Sequence, residues 1–243
     1  NRSIEHYASH CVRQVGSPVY AELLAVHAYF LGGKSDWTFP LIQCVAHELN
    51  AVLIYHLTRQ IGGERSWSFL ASALYFTLPI AYAESLSTQN DVLSALWLLL
   101  FLSFILPYMG KEDFAWNQHF VIRVSCAALS MALGYLTKPS VCFAMFFFVI
   151  CLMIKAGGKK QIRVVMPAFA LAAVLAWIMV SPELIRNLRT FSALFPESVG
   201  ARQLIGTLSP LPVMVNFLRN LVYNLPVPFV GIVEEAAQRL IRG

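Results

Sequence analysis

Long apolar runs separated by short polar turns dominate the chain. Predominantly apolar blocks lie at 38–58, 66–83, 92–109, 119–136, 140–154 and 164–180. That is the length scale of a helix crossing the hydrocarbon core of a bilayer. The pattern predicts an all-α fold, a polytopic transmembrane helix bundle of about six spans. The short alternating segments of a membrane barrel do not occur. The first block is unusually polar, with Gln43, His47, Glu48 and Asn50 inside it. Such groups in a span face the bundle interior, so His47 and Glu48 are expected as buried polar packing. Trp67 marks an interface and Pro79 permits a kink, while Ser181-Pro182 is expected to end the sixth span.

Outside the spans the pattern changes. In residues 1–36, Ser17-Pro18 is a helix start signal. Apolar positions at Leu23, Leu24, Val26, Phe30 and Leu31 then predict a helix lying on the membrane surface, ended by Gly32-Gly33. Residues 182–243 read as a loop followed by amphipathic pieces. There Asn216, Arg219, Asn220 and Asn224 fall on one helical face. The organisation is therefore a loop with an interfacial helix at 1–36, a six-span bundle at 37–181, and a second loop with amphipathic helices at 182–243.

Composition sharpens this reading. Of 243 residues, 58% are hydrophobic and 13% charged, with mean hydropathy +0.62. About 25% charged is usual for a soluble domain. The net charge of +5 is spread over short loops and does not point to nucleic acid. The five cysteines show no metal or redox spacing, and four lie in apolar runs as small hydrophobes. Eight basic residues fall in alternate loops or beside them: Arg59, Arg65, Lys111, Arg123, Lys155, Lys159, Lys160 and Arg163. The opposite short turns carry only Lys138. The positive-inside tendency makes the basic side cytosolic. The N-terminal segment, the turn at 84–91, Lys138 and the segment after 181 then face the extracytoplasmic side.

That side holds the candidate chemistry. The turn Glu84-Ser-Leu-Ser-Thr-Gln-Asn-Asp91 has only one apolar residue and two carboxylates, between two apolar spans. Asn90 or Asp91 is expected to cap the following helix, which leaves Glu84, Thr88 and Gln89 without a role. Lys138, Arg186 and Arg189 are cations where topology does not call for them, and arginine suits phosphate through its planar fork. The plainer alternatives are bulk headgroup contacts, or pairing of the arginines with Glu183. His6 and His10 have an i, i+4 spacing that can bind a metal, but no third ligand is placed. No cofactor is assigned, and a divalent metal is left open.

Four segments together carry a family resemblance. Glu84 to Leu93 resembles the STQND turn of bacterial membrane glycosyltransferases of the C-type superfamily. The family is 39-like and related to protein O-mannosyltransferases and the lipid A aminoarabinose transferase. Leu133-Gly-Tyr-Leu-Thr-Lys138 looks like the family's LxxLTKG turn. Pro182, Arg186-Asn187 and Phe191 to Pro196 look like its P…RN…FGxP segment. Asn1 to Tyr7, Arg13-Gln14 and Ala21-Glu22 resemble its first extracytoplasmic loop. Two departures stand out: Pro139 replaces the usual Gly, and Ser192-Ala193-Leu194 replaces a Gly-containing stretch.

The resemblance implies transfer of a sugar from a polyprenyl-phosphate carrier to a lipid, glycan or protein acceptor at the extracytoplasmic face, in a bacterial inner membrane. It implies donor-phosphate binding by Lys138, Arg186 and Arg189. Glu84, Gln89, Asn90, Asp91 and Asn187 would form the wall of the site. The catalytic Asp is expected upstream of Asn1, so the chain reads as truncated at both ends and as inactive alone. Rival readings are a transporter or flippase of a lipid-linked or anionic substrate, and an inactive copy. A transporter should show internal repeats with broken helices at midplane.

Overall fold

Where no water competes for backbone groups, an apolar stretch must pair its own N–H and C=O groups, and a helix does this within one segment. The computed structural model describes residues 17–110, 114–158 and 161–194 and the single position 214, and helices dominate it. In chain order they are α1 (Tyr20–Leu31), α2 (Leu41–Gln60), α3 (Arg65–Phe76), α4 (Pro79–Ser85), α5 (Asp91–Met109), α6 (Gln118–Thr137), α7 (Val141–Gly158) and α8 (Ile162–Phe191). A 3-10 turn at Asp36–Thr38 joins α1 to α2. By length and composition α5, α6 and α8 can each cross a membrane. The chain is an integral, all-helical membrane protein.

The expected second span is broken in two. Pro79 has no N–H to donate and disfavours helical geometry in the residue before it. Leu78 is accordingly extended at φ −71°, ψ 112°, and α4 starts afresh at Pro79. Pro182 acts differently. The helix that Ser181-Pro182 was expected to end continues to Phe191 and stops at Ser192, which takes the left-handed conformation at φ 53°. In an apolar setting, keeping every other helical hydrogen bond outweighs the single one that proline removes.

The most extensive contacts run in a row, α3 on α2, α2 on α5, α5 on α6 and α6 on α8, with α7 packed against α5 and α6. Phe101, Ile105, Ala127 and Met145 form the central core of α5, α6 and α7. Ala21, Ala46, Val92, Leu93 and Leu96 seat α1 against α2 and α5. The α6–α7 approach needs Gly134, where an added Cβ would meet Val141 Cγ1 at 3.0 Å and Met145 Cε at 3.1 Å. The outer faces are as apolar as the core: Phe143 is 80% and Ile154 70% exposed. Lipid is the solvent such a face requires.

Two polar ends close the bundle. At one, Lys155 donates to the carbonyls of Tyr108 and Gly110, and Arg123 lies 5.6 Å from the Tyr108 ring centroid. These cations stand at the C-terminal end of α5, where the helix dipole favours positive charge. The other end gathers the turn before α5, the α6–α7 connection and the last turns of α8.

Candidate functional site

The turn entering α5 is built on serine. Ser87 Oγ donates within the turn to the carbonyl and carboxylate oxygens of Glu84, at 3.0 and 3.1 Å, and accepts from the Gln89 N–H at 3.1 Å. Glu84 thus stabilises the turn. Gln89 is exposed, and Asn90 is half-buried. Asn90 stands at the cap position of α5 with no capping bond from its side chain, and Asp91 is the first helical residue. This corrects the expected local cap. The N–H of Leu93, two residues on, is instead satisfied from another helix, by Gln43 Oε1 at 3.0 Å.

Freed from capping, the Asp91 carboxylate pairs with Lys138. The two are 47 residues apart in sequence. They meet because α6 ends where α5 begins. Thr137, the last residue of α6, is buried and accepts a 3.0 Å bond from the Trp97 indole N–H on α5. Lys138 follows in an extended conformation that turns its side chain off the helix. The pair is open to its surroundings, with side chains 43% (Lys138) and 45% (Asp91) exposed.

A second ion pair forms on the last turns of α8. Arg186 Nη2 donates to Glu183 Oε1 at 2.6 Å, with side chains only 11% and 7% exposed. Asn187, itself buried, also donates to Glu183. This is the Glu183 pairing that the sequence left open for the arginines. Arg189, two residues beyond Asn187, is exposed. Helix α1 links the two pairs: Glu22 Oε1 accepts from Asn90 Nδ2 at 3.4 Å and lies within electrostatic range of Glu183.

All eight site residues named from the sequence therefore lie toward one end of the bundle. Gln43 and Asn50 are buried as expected, but their partners were missed, as were Tyr75 and Trp97, because these bonds join different helices. Asn50 Nδ2 donates to Val92 O at 3.0 Å and to Tyr75 Oη at 3.2 Å, and His47 Nδ1 is 3.0 Å from the same hydroxyl. His47 is buried as expected, but Glu48 is exposed rather than packed inside, since it turns away from the buried Gln43–His47–Asn50 face.

An apolar cavity of about 280 Å³ lies away from these groups, between α5, α6, α7 and α8, and includes Phe101, Tyr108, Phe120 and Val165 in its lining. It offers no charge to a phosphate. Among the described residues no three His, Cys, Asp or Glu side chains are placed to hold a metal ion. His6 and His10, the N-terminal motif and the amphipathic segment 212–225 lie outside the described residues, apart from position 214.

The family model described as dolichyl-phosphate-mannose-protein mannosyltransferase matches residues 16–185. The match takes in the turn, Lys138 and Glu183, and stops one residue short of Arg186. No curated protein and no solved structure gives a significant match.

Proposed function

The chain belongs to the dolichyl-phosphate-mannose-protein mannosyltransferase family, and from that premise we propose that it moves a sugar from a polyprenyl-phosphate carrier to a lipid, glycan or protein acceptor. The coarse class, a membrane glycosyltransferase of the C type, follows from membership. The donor, the acceptor and the face at which transfer occurs are our reading. The charge bias of the loops supports an extracytoplasmic face, in a bacterial inner membrane.

The observation that carries the reading is the exposed Asp91–Lys138 pair. An exposed ion pair is worth about 0–1 kcal/mol, so a phosphate arriving from the membrane can take Lys138 from Asp91 at little cost. In the transfer, the bond between the anomeric carbon and the carrier phosphate breaks as the acceptor oxygen attacks that carbon. Negative charge grows on the departing phosphate, where a fixed cation lowers the barrier. Lys138 is placed to supply it. Arg189 adds charge near the headgroups, and Arg186 joins if a phosphate displaces Glu183. Glu84, Gln89, Asn90, Asp91 and Asn187 form the wall. The acceptor's proton goes to a carboxylate base.

The test is transfer from a radiolabelled polyprenyl-phosphate sugar in membranes carrying the full-length protein. Labelled product is expected, with strongly weakened donor use in Lys138→Ala and Arg186→Ala. Turnover at the wild-type level in both variants sinks the phosphate role.

A further inference from the structure

We propose that Gln43 and Asn50, on the buried face of α2, are positioning residues that set the place of Asp91 and hence of Lys138; this rests on the donor-phosphate reading above. The first turn of a helix leaves its N–H groups without intrahelical partners, and a cap from the helix's own turn usually serves them. Helix α5 has no such side-chain cap. Gln43 Oε1 takes the Leu93 N–H at 3.0 Å, and Asn50 Nδ2 holds the Val92 carbonyl at 3.0 Å. These are the two residues that follow Asp91. The turn that carries the carboxylate is therefore clamped on both a donor and an acceptor by a different helix.

The chemistry of the clamp argues against packing alone. Gln43, His47 and Asn50 are each at most 3% exposed inside an integral membrane bundle, where polar side chains are costly. Among the described residues, His47 Nε2 and Asn50 Oδ1 find no hydrogen-bond partner. A face meant only to fill space would be met at lower cost by leucine or methionine. Tyr75 adds rigidity from behind, bonded to Asn50 and close to His47. Ser72 ties α3 to the Ala51 carbonyl at 2.8 Å, so α3 fixes the register of α2. The Trp97–Thr137 bond fixes the Lys138 side of the pair in the same way.

The role depends on an acceptor at position 43, which gives the test its direction. In the full-length enzyme, Gln43→Leu removes the acceptor, whereas Gln43→Glu keeps a side-chain oxygen for the Leu93 N–H. KM for the polyprenyl-phosphate sugar is expected to rise about tenfold in Gln43→Leu, the scale of one lost buried hydrogen bond, and to return to within about twofold of wild type in Gln43→Glu. The acceptor KM should stay unchanged in both. Hydrogen exchange in detergent should quicken over 91–96 in Gln43→Leu and recover in Gln43→Glu.

A merely structural role would lower the active fraction without moving the donor KM, and that result overturns the inference. If Gln43→Leu does not fold, Asn50→Asp carries the test. It keeps the size but loses the donor to Val92, so it should show the same selective rise in donor KM, and a wild-type value overturns the proposal. Lys138→Ala is measured alongside. A normal donor KM there overturns the donor-site reading and the clamp with it. A raised donor KM there beside a normal one in Gln43→Leu overturns the clamp alone.

Discussion

Two ion pairs stand at the same end of this bundle, and their surroundings give them opposite characters. Glu183–Arg186 is local, three residues apart on α8, and nearly closed off. Asp91–Lys138 joins two helix ends and is almost half exposed. Removing one partner of a buried pair strands a charge and costs about 3–5 kcal/mol. Removing one partner of an exposed pair costs about 1 kcal/mol or less. The closed pair thus holds α8 together near its end and yields Arg186 only when an anion displaces Glu183, whereas the open pair exchanges one anion for another at little cost. The sequence gives both pairs similar residues, and only burial separates their uses.

The largest effect should come from breaking the closed pair. Glu183→Ala is expected to destabilise the folded protein by about 3 kcal/mol, at the lower end of the buried-pair range because Arg186 can reach toward headgroups. Thermal unfolding of the full-length protein in detergent measures it. The double variant Glu183→Leu/Arg186→Met should recover most of the loss, because no charge is then left buried; a double variant no better than the single one would contradict the assignment of the cost to a stranded charge.

The open pair should respond in function rather than stability. Lys138→Ala is expected to shift unfolding by less than about 1 kcal/mol while raising the donor KM by about 10–100-fold, the range for a lost charge-assisted hydrogen bond. A large stability loss with unchanged donor KM would reverse the comparison. Thr137→Val sits between these cases. It leaves the half-buried Trp97 indole N–H without its partner and is expected to cost about 1 kcal/mol, with a smaller rise in donor KM as Lys138 loses its anchor. The smallest effect is expected at Arg189, exposed on the last turn of α8: Arg189→Ala should change stability by about 0.5 kcal/mol at most. Its donor KM should rise less than that of Lys138→Ala, which kinetics with the labelled carrier will rank.

The legible part of this protein is what short-range chemistry writes. Runs such as 92–109 cannot satisfy their backbone in lipid except as helices, so the all-α bundle could be read directly. The polar turn before Asp91 and the isolated Lys138 were visible for the same reason, as costly exceptions in an apolar chain. Proline was harder to read. Pro79 divides a span and Pro182 does not, although each follows an apolar run, because the outcome depends on whether the rest of the segment gains more by continuing.

The cap of α5 was illegible. Residues 90 and 91 have the side chains to cap their own helix, yet Gln43 does it from α2. Nothing local records that choice, because it depends on α2 lying against the start of α5. The Glu48 error has the same origin: its neighbours His47 and Asn50 face the bundle, and helix rotation alone sends Glu48 outward. The sequence by itself determined that the chain is helical, lies in a membrane and gathers unusual charge at its turns. The tertiary structure decided which carboxylate meets which cation, and how far each pair is shielded. The reason is physical: helix formation is settled within a few residues, whereas pairing and burial depend on segments 40 or more residues apart brought together by packing.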